Sequence, residues 1–200
     1  MRLLVATTNL HKLSEIRAIL TGIDVELQAL DEWPDLAAPE ETGATFGDNA
    51  REKALCYAGT TGRTTVADDS GLEIDGLQGE PGVHSARFNG ETYPEKFQAI
   101  YARLGEAGQL GCPARFVCAL AVARGTEVLF ETQGTVEGRI AEAPAGEAGF
   151  GYDPIFFYPP YGKTLAEVSR EEKAAVSHRG RAVRQLREWL ETPNLLQSGQ

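Results

Sequence analysis

Two adjacent carboxylates, Asp68 and Asp69, are the residues best suited to chemistry. A short apolar run precedes them and Ser70-Gly71 follows, which is typical of a buried strand that turns at the edge of a sheet. Open α/β sheets bind ligands at that edge, where a carboxylate can hold Mg²⁺ or orient an attacking water. Because neighbouring strand residues point to opposite faces, only one aspartate can face a given cleft. The alternative is an Asx-type turn.

A second polar group, residues 7–12 (Thr-Thr-Asn-Leu-His-Lys), joins a predicted strand at residues 3–6 to a predicted helix. Helix N-termini bind phosphate through free backbone N–H groups and the helix dipole. Lys12 adds a positive charge in the first turn, where the dipole alone disfavours it. This pattern indicates an anion site, and the alternative is an ordinary N-cap at Asn9 with a solvated lysine.

Acidic and basic residues also surround a second predicted helix. A metal ion at Asp69 needs further oxygen ligands, and Glu40 and Glu41 supply carboxylates just before that helix. Asn49 and Lys53 lie one helical turn apart, so they can contact a phosphate together. The alternative is a solvated helix face.

A tight turn at residues 150–154 (Phe-Gly-Tyr-Asp-Pro) carries an aromatic side chain that can stack on a flat base. The alternative is that these aromatics fill the core. Lys173 and the Ser-His-Arg sequence at residues 177–179 belong to the main basic concentration of an acidic chain. His178 by itself is equally compatible with a structural role.

The elements that position these residues follow from hydrophobic periodicity. Strands are predicted at residues 3–6 and 64–68, with a helix at 45–58 before the second. A hairpin is predicted over residues 115–140, turning at Arg124-Gly125, and the glycine-rich residues 70–90 are predicted as turns and short hairpin strands. The mixture of βαβ units and hairpins predicts a mixed sheet.

Composition narrows the class of protein. The chain has 200 residues, 42% hydrophobic and 24% charged, as in ordinary globular domains. The formal net charge of −10 argues against a protein that grips long nucleic acid, but allows a small anionic ligand at a basic cluster. No apolar run has membrane-spanning length, and no signal peptide is recognised. Three cysteines without metal-ligand spacing indicate free thiols, so we expect a cytoplasmic protein with no membrane partner.

The ordered set of motifs resembles the inosine/xanthosine triphosphate pyrophosphatase family of house-cleaning enzymes for non-canonical purine nucleotides. The resemblance covers nearly the whole chain, although Thr8 stands where many members carry glycine. The motifs are Thr7-Thr8-Asn9 with Lys12 and Glu15, Glu40-Glu41-Thr42-Gly43 with Phe46, Asn49, Ala50 and Lys53, Ala67-Asp68-Asp69-Ser70-Gly71, Pro81-Gly82-Val83-His84-Ser85-Ala86-Arg87, Gly149-Phe150-Gly151-Tyr152-Asp153-Pro154, and Ser177-His178-Arg179-Gly180.

The resemblance implies one two-lobed nucleoside triphosphate pyrophosphatase domain over residues 1–192, with residues 193–200 as a disordered tail. The implied fold is an elongated mixed α/β sheet flanked by helices, with a central active-site cleft, in a homodimer. The implied reaction is Mg²⁺-dependent hydrolysis of ITP, dITP or XTP to the monophosphate and pyrophosphate. This reaction keeps such nucleotides out of DNA and RNA.

Residue roles follow from the same resemblance. Asp69 is implied as general base and metal ligand, with further metal ligands at Asp68 and at Glu40 or Glu41. Residues implied to hold the triphosphate are Thr7, Thr8, Asn9, Leu10, His11, Lys12 and Lys53. Ser70 is implied to touch the substrate. Residues implied to shape the base pocket are Phe150, Gly151, Tyr152, Asp153, Lys173, His178 and Arg179.

Arg179 is the first candidate for reading the base. A guanidinium only donates hydrogen bonds, so it matches the six-position carbonyl of hypoxanthine or xanthine and not the amino group of adenine. Lys173 is the next candidate.

Two alternatives remain. The related septum-inhibitor-like family acts on pyrimidine or modified nucleotides, but its Ser-Pro-Arg-Arg loop pattern is absent from this sequence. A non-catalytic nucleotide-binding module would need phosphate and base contacts but no Asp69. The full set of carboxylates favours an enzyme.

Overall fold

The structure, a computed structural model, describes residues 1–192, which form seven strands and five α-helices. The strands are β1 (Arg2–Val5), β2 (Glu26–Ala29), β3 (Thr65–Ile74), β4 (Pro113–Arg124), β5 (Glu127–Ile140), β6 (Phe156–Tyr158) and β7 (Lys163–Thr164). The helices are α1 (Leu10–Ile19), α2 (Phe46–Thr61), α3 (Tyr93–Glu106), α4 (Arg170–Val176) and α5 (His178–Glu191).

The strands form one mixed sheet in the order β2-β1-β3-β4-β5-β6-β7. β1 runs parallel to both β2 and β3, and helices α1 and α2 supply the crossovers that parallel neighbours need. β6 runs antiparallel to both β5 and β7. The predicted mixed sheet is therefore confirmed.

The chain divides into two compact units. Within the described residues, unit 1 comprises Met1–Asp69, Cys118–Gly134 and residues 179–192, and unit 2 comprises Ser70–Val117 and Thr135–His178. Each unit has a hydrophobic core of its own. The prediction of one domain over residues 1–192 stays a prediction.

In unit 1, two amphipathic helices supply much of the core. The apolar stripes of α1 and α5 are buried together with residues of β1, β3 and β4. The stripe residues are Leu13, Ile16 and Leu20, and Val183, Leu186 and Leu190.

In unit 2, α3 packs its apolar face, with Phe97, Ile100 and Leu104, into a core that also contains Leu72 and Ile74 of β3. A capping box opens α3, and a second, formed by Ser169 and Glu172, opens α4. The α4 cap fixes the helix that carries Lys173.

The predicted turn at Asp68–Gly71 is wrong, because β3 continues to Ile74. Leu72 and Ile74 are both fully buried, so the alternation of the strand carries on into the core of unit 2. Gly71 is not among the glycines with positive φ. The two aspartates nevertheless lie just beyond the end of β1, whose last paired residue, Val5, is opposite Val66.

No helix within residues 1–192 is both long and apolar enough to cross a membrane. The prediction of a disordered tail at residues 193–200 lies outside the described residues.

The different exposure of the three thiols generates a first prediction. Cys56 is exposed on α2, whereas Cys112 and Cys118 are buried, and burial raises the pKa of Cys118 to about 12. Thiolate is the reactive form, so a thiol reagent should titrate one group in the folded protein and three in denaturant. Cys56→Ser should remove the rapid reaction. Two or more rapid thiols in the native protein would contradict the burial.

Candidate active site

Asp68 and Asp69 lie on opposite faces of β3. Val66 packs in the core of unit 1 with Leu3 and Val5 of β1, and Asp68, two residues further along, shares its face. Asp69 lies on the other face. The partners of the two carboxylates accordingly come from different helices, as the predicted alternation requires.

The carboxylate of Asp68 is buried between two cations. Nζ of Lys12 lies 2.9 Å from its Oδ2, and the guanidinium of Arg179 donates to the same oxygen at 3.3 Å. Burial alone would raise the pKa of Asp68, but the attraction of Lys12, Arg179 and Lys53 outweighs it and holds the pKa well below the usual range. Asp68 is therefore ionised at neutral pH. Cys118 also lies nearby, with Sγ 4.0 Å from Oδ2.

Arg179 is fixed within unit 1 by acids on both sides. Its guanidinium is 1% exposed and donates to Oε2 of Glu15 at 2.7 Å as well as to Asp68. Burial would lower the pKa of Arg179, but Asp68 and Glu15 outweigh it and raise the pKa above its ordinary value. The contacts favour a role in holding Asp68 over reading a base.

The segment before α1 is organised around its cap. The Asn9 side chain accepts hydrogen bonds from the N–H groups of His11 and Lys12 at 2.9 and 3.2 Å, which confirms the predicted N-cap. The Thr7 hydroxyl accepts from the N–H of Asn9. Leu10 is 77% exposed, and Thr8 and His11 are also exposed. The first-turn lysine thus has an internal anion, Asp68, beside it.

Asp69 is held from α2. Nδ2 of Asn49 donates to its Oδ2 at 2.8 Å, and Nζ of Lys53 lies 3.9 Å from its Oδ1. Burial raises the pKa of Asp69 above its ordinary value, although Lys53 and Asn49 oppose that effect. A raised pKa makes a carboxylate a better base, so Asp69 suits the alignment and deprotonation of water.

Lys53 contacts both the Asp68 backbone and the carboxylates near Asp69. Its ammonium donates to the backbone oxygen of Asp68 and to Oε1 of Glu41, both at 2.6 Å. Burial would lower the pKa of Lys53, but the neighbouring acids outweigh it and raise the pKa, so the charge is retained. Of the two predicted glutamates, Glu41 therefore lies near Asp69, whereas Glu40 is exposed.

The donor set suits Mg²⁺, which uses one or two carboxylates together with waters and substrate phosphates. Asp69 and Glu41 provide two hard oxygen donors around Lys53. Residues 1–192 contain no cluster of three or more acidic, histidine or cysteine side chains arranged for a metal ion. A site of this kind therefore needs oxygens from water and substrate.

A separate cluster lies in unit 2. Lys173 donates to Oδ2 of Asp153 at 2.6 Å, and the same oxygen accepts from the N–H of Phe150 at 2.8 Å. Nζ of Lys173 lies 4.6 Å from the centroid of the Phe150 ring. Gly149 has φ +73°, and a Cβ there would collide with Asp153, so the turn requires glycine. These contacts bring together three predicted base-pocket residues.

The other predicted residues of unit 2 have different surroundings. Tyr152 is 4% exposed, packs in the core and donates from its hydroxyl to the backbone oxygen of Ser85 at 2.8 Å. His178 stacks on Phe116 with ring centroids 4.7 Å apart. Gly151 has φ +68°, and Ser70 is half-buried on β3. Tyr152 thus packs in the core of unit 2, and its role in a base pocket stays a prediction.

Comparison with known proteins identifies the family. A family model described as the Ham1 family matches residues 3–189. The chain belongs to the Ham1 family. The predicted resemblance to the inosine/xanthosine triphosphate pyrophosphatases is confirmed by curated relatives of the same kind.

Two such relatives are named dITP/XTP pyrophosphatase. The one from Exiguobacterium sp. is 48% identical over 189 residues, covering 93% of this chain and 95% of the relative. The one from Gloeobacter violaceus is 50% identical over 184 residues, covering 92% and 91%. A solved HAM1 protein from Coxiella burnetii has a TM-score of 0.89 and 37% identity, covering 95% of this chain and 98% of its own.

The contacts of two residues, Glu15 and Asn49, were not predicted from the sequence. Glu15 was recognised as part of a motif but given no role, although its position one turn after Lys12 is a usable signal. Asn49 was expected to contact phosphate, whereas its amide binds Gly43 and Asp69. Neither partner can be read from the spacing along α2, because both depend on tertiary packing.

The buried ion pairs generate a second prediction. Arg179→Ala should lower the free energy of unfolding by about 3–5 kcal/mol, because it leaves the buried Asp68 with one cation fewer. Arg2→Ala removes a solvent-exposed pair with Glu26 and should cost no more than about 1 kcal/mol. Urea unfolding of both variants measures the difference. Equal losses would show that the buried network does not depend on Arg179.

Proposed function

We propose that this chain hydrolyses non-canonical purine nucleoside triphosphates to the monophosphate and pyrophosphate. These substrates are of the class that the names of its dITP/XTP pyrophosphatase relatives give. The observation that carries the proposal is the setting of Asp69. In a Ham1 chain, a buried carboxylate with a raised pKa is held by Asn49 and lies beside Lys53. A base such as Asp69 suits the deprotonation of water, and a cation such as Lys53 suits the binding of a polyphosphate.

The chain's own groups divide the work of hydrolysis. Asp69 aligns a water and accepts its proton as the water attacks the α-phosphorus. Lys53 offsets negative charge on the phosphates, and residues 7–12 place the phosphates at the positive end of the α1 dipole. Because the ammonium of Lys53 is already positioned, the site does not have to reorganise when negative charge builds up on the leaving pyrophosphate. This role for Lys53 is the one that the family resemblance implies, whereas the ammonium of Lys12 is paired with Asp68.

Mg²⁺ is proposed at Asp69 and Glu41. When bound, it lowers the pKa of water and neutralises charge on the phosphates. The contacts of Asp68 with Lys12 and Arg179 favour Glu41 over Asp68 as the second carboxylate. Glu40 is the less favoured glutamate because it is exposed.

The base is proposed to be read by Phe150 and Lys173. An aromatic ring stacks on any base, and an ammonium donates only, which matches a six-position carbonyl. The Lys173–Asp153 ion pair fixes the donor. Lys173, the next candidate after Arg179, therefore takes its place, because the guanidinium of Arg179 binds Glu15 and Asp68.

A homodimer and a cytoplasmic location complete the proposal. The dimer rests on the family resemblance. The location is supported by three free cysteines, the usual state of thiols in a reducing compartment.

The third prediction tests the reaction. The protein should release pyrophosphate from dITP, XTP or ITP, and hydrolysis in ¹⁸O-water should label the monophosphate. Asp69→Asn should lower kcat by about 10²–10⁴-fold, because an amide cannot accept the proton. Asp31→Asn, at an exposed aspartate outside the cluster, is the matched control and should keep full activity. Stepwise release of orthophosphate, or label in the pyrophosphate, would point to another reaction.

Removal of metal tests the cofactor in the same assay. A chelator should abolish pyrophosphate release, and added Mg²⁺ should restore it. Glu41→Gln should raise the Mg²⁺ concentration required for half-maximal activity, whereas Glu40→Gln should not. Undiminished turnover in excess chelator would refute the metal requirement.

The fourth prediction concerns base selection. Lys173→Met should lower kcat/KM on ITP more than the residual kcat/KM on ATP, because the removed donor matches only the carbonyl. Phe150→Ala should weaken both substrates about equally. Lys163→Met, at an exposed lysine of β7, serves as control. An unchanged ITP-to-ATP ratio in Lys173→Met would remove Lys173 as the base reader.

A further inference from the structure

One amide connects the loop before α2 to Asp69. The N–H of Gly43 donates to Oδ1 of Asn49 at 2.8 Å, and Nδ2 of Asn49 donates to Oδ2 of Asp69, also at 2.8 Å. Asn49 is 1% exposed, in the first turns of α2. All three residues belong to unit 1. A buried amide with a partner at both ends has a defined position.

The chemistry of the partners leaves one orientation of the Asn49 amide. The N–H of Gly43 is only a donor, so it must face the amide oxygen. The carboxylate of Asp69 is an acceptor when ionised, so it must face the amide nitrogen. A rotated amide would oppose donor to donor and acceptor to acceptor. Gly43 thereby sets which end of Asn49 faces Asp69.

Gly43 has no room for a side chain. A Cβ at this position would lie 2.7 Å from Oδ1 of Asn49, 2.7 Å from Cβ of Asp48 and 3.0 Å from the backbone nitrogen of Asn49. All three atoms belong to Asp48 and Asn49 at the start of α2, which is capped by Thr45. The hydroxyl of Thr45 accepts from the N–H of Asp48 at 3.1 Å. Since the helix start is fixed in this way, a side chain at residue 43 would push its own backbone away from α2, and with it the N–H that Oδ1 of Asn49 accepts.

We propose that Asn49 is a positioning residue for Asp69 and that Gly43 is the residue that orients it, an inference that rests on the proposed function. Asn49 holds Oδ2, and this sets the plane of the carboxylate while Oδ1 faces Lys53 at 3.9 Å. A neutral donor performs this task without adding a charge beside the base. Glu41 lies in the same loop as Gly43, so the glycine also ties that loop to the base.

Three variants separate the contacts. Asn49→Ala removes the donor, and Gly43→Ala displaces the N–H that orients the amide while keeping the amide in the chain. Asn49→Asp keeps an acceptor for Gly43 but presents a second carboxylate to Asp69. Each should lower kcat on ITP by about 10²-fold while KM changes little, because a base displaced by about 1 Å acts poorly on a bound substrate.

The double variant Gly43→Ala/Asn49→Ala gives a readout that general loss of packing would not produce. If both residues act through one hydrogen-bonded chain, the double variant should lose no more than either single variant. Independent effects would instead multiply to about 10⁴-fold. Gly47→Ala is the matched control, because a Cβ at Gly47 meets only the Thr45 hydroxyl oxygen, at 3.7 Å. It should keep the wild-type kcat.

The outcomes are distinguishable. A wild-type protein that releases no pyrophosphate overturns the proposed function and the inference together. An active wild type, an inactive Asp69→Asn and an unimpaired Asn49→Ala overturn the inference alone. Multiplicative losses in the double variant do the same. Circular dichroism confirms that each variant compared is folded, and Asn49→Ser, which restores a small donor, should recover part of the kcat.

Discussion

The need to pair a buried negative charge governs the architecture of unit 1. Asp68 is almost fully enclosed, and an ion in that setting is tolerated only with partners of opposite charge and good geometry. Lys12 from α1 and Arg179 from α5 meet that need from two distant parts of the chain. One carboxylate thus fixes the starts of both helices against β3. Glu15 is a second acid that pairs with the buried guanidinium of Arg179.

The neighbouring carboxylate is treated differently, and the difference suits its chemistry. Asp69 has one ammonium at a longer distance and one neutral amide, so burial prevails and the pKa rises. Two chemically identical side chains, adjacent in sequence, are thereby given opposite tendencies to hold a proton. The residue with the lowered pKa holds structure, and the one with the raised pKa is proposed to move a proton.

Sequence reasoning recovered the features that depend on local periodicity. The apolar stripes of α1 and α5, the Asn9 cap and the capping box of α4 all depend on the spacing of residues that lie close together in the chain. The turn after Asp69 was mispredicted, because Ser-Gly looks like a turn unless one knows that Leu72 and Ile74 are buried by another core. The contacts of Arg179 with Glu15 and Asp68 cannot be predicted from the sequence, because both acids are far away in the chain. Such pairings depend on topology and leave no trace in spacing.

The continuity of β3 through both aspartates sets a limit on how this strand can vary. Side chains alternate with a period of two, so inserting or deleting one residue before Asp68 would exchange the faces of the two carboxylates. The base would then lie between Lys12 and Arg179, and the paired aspartate would face Asn49. A substitution along the strand changes the packing around one side chain. A change in strand length would instead exchange the surroundings of Asp68 and Asp69. For β3, residue count is therefore under a stricter constraint than residue type.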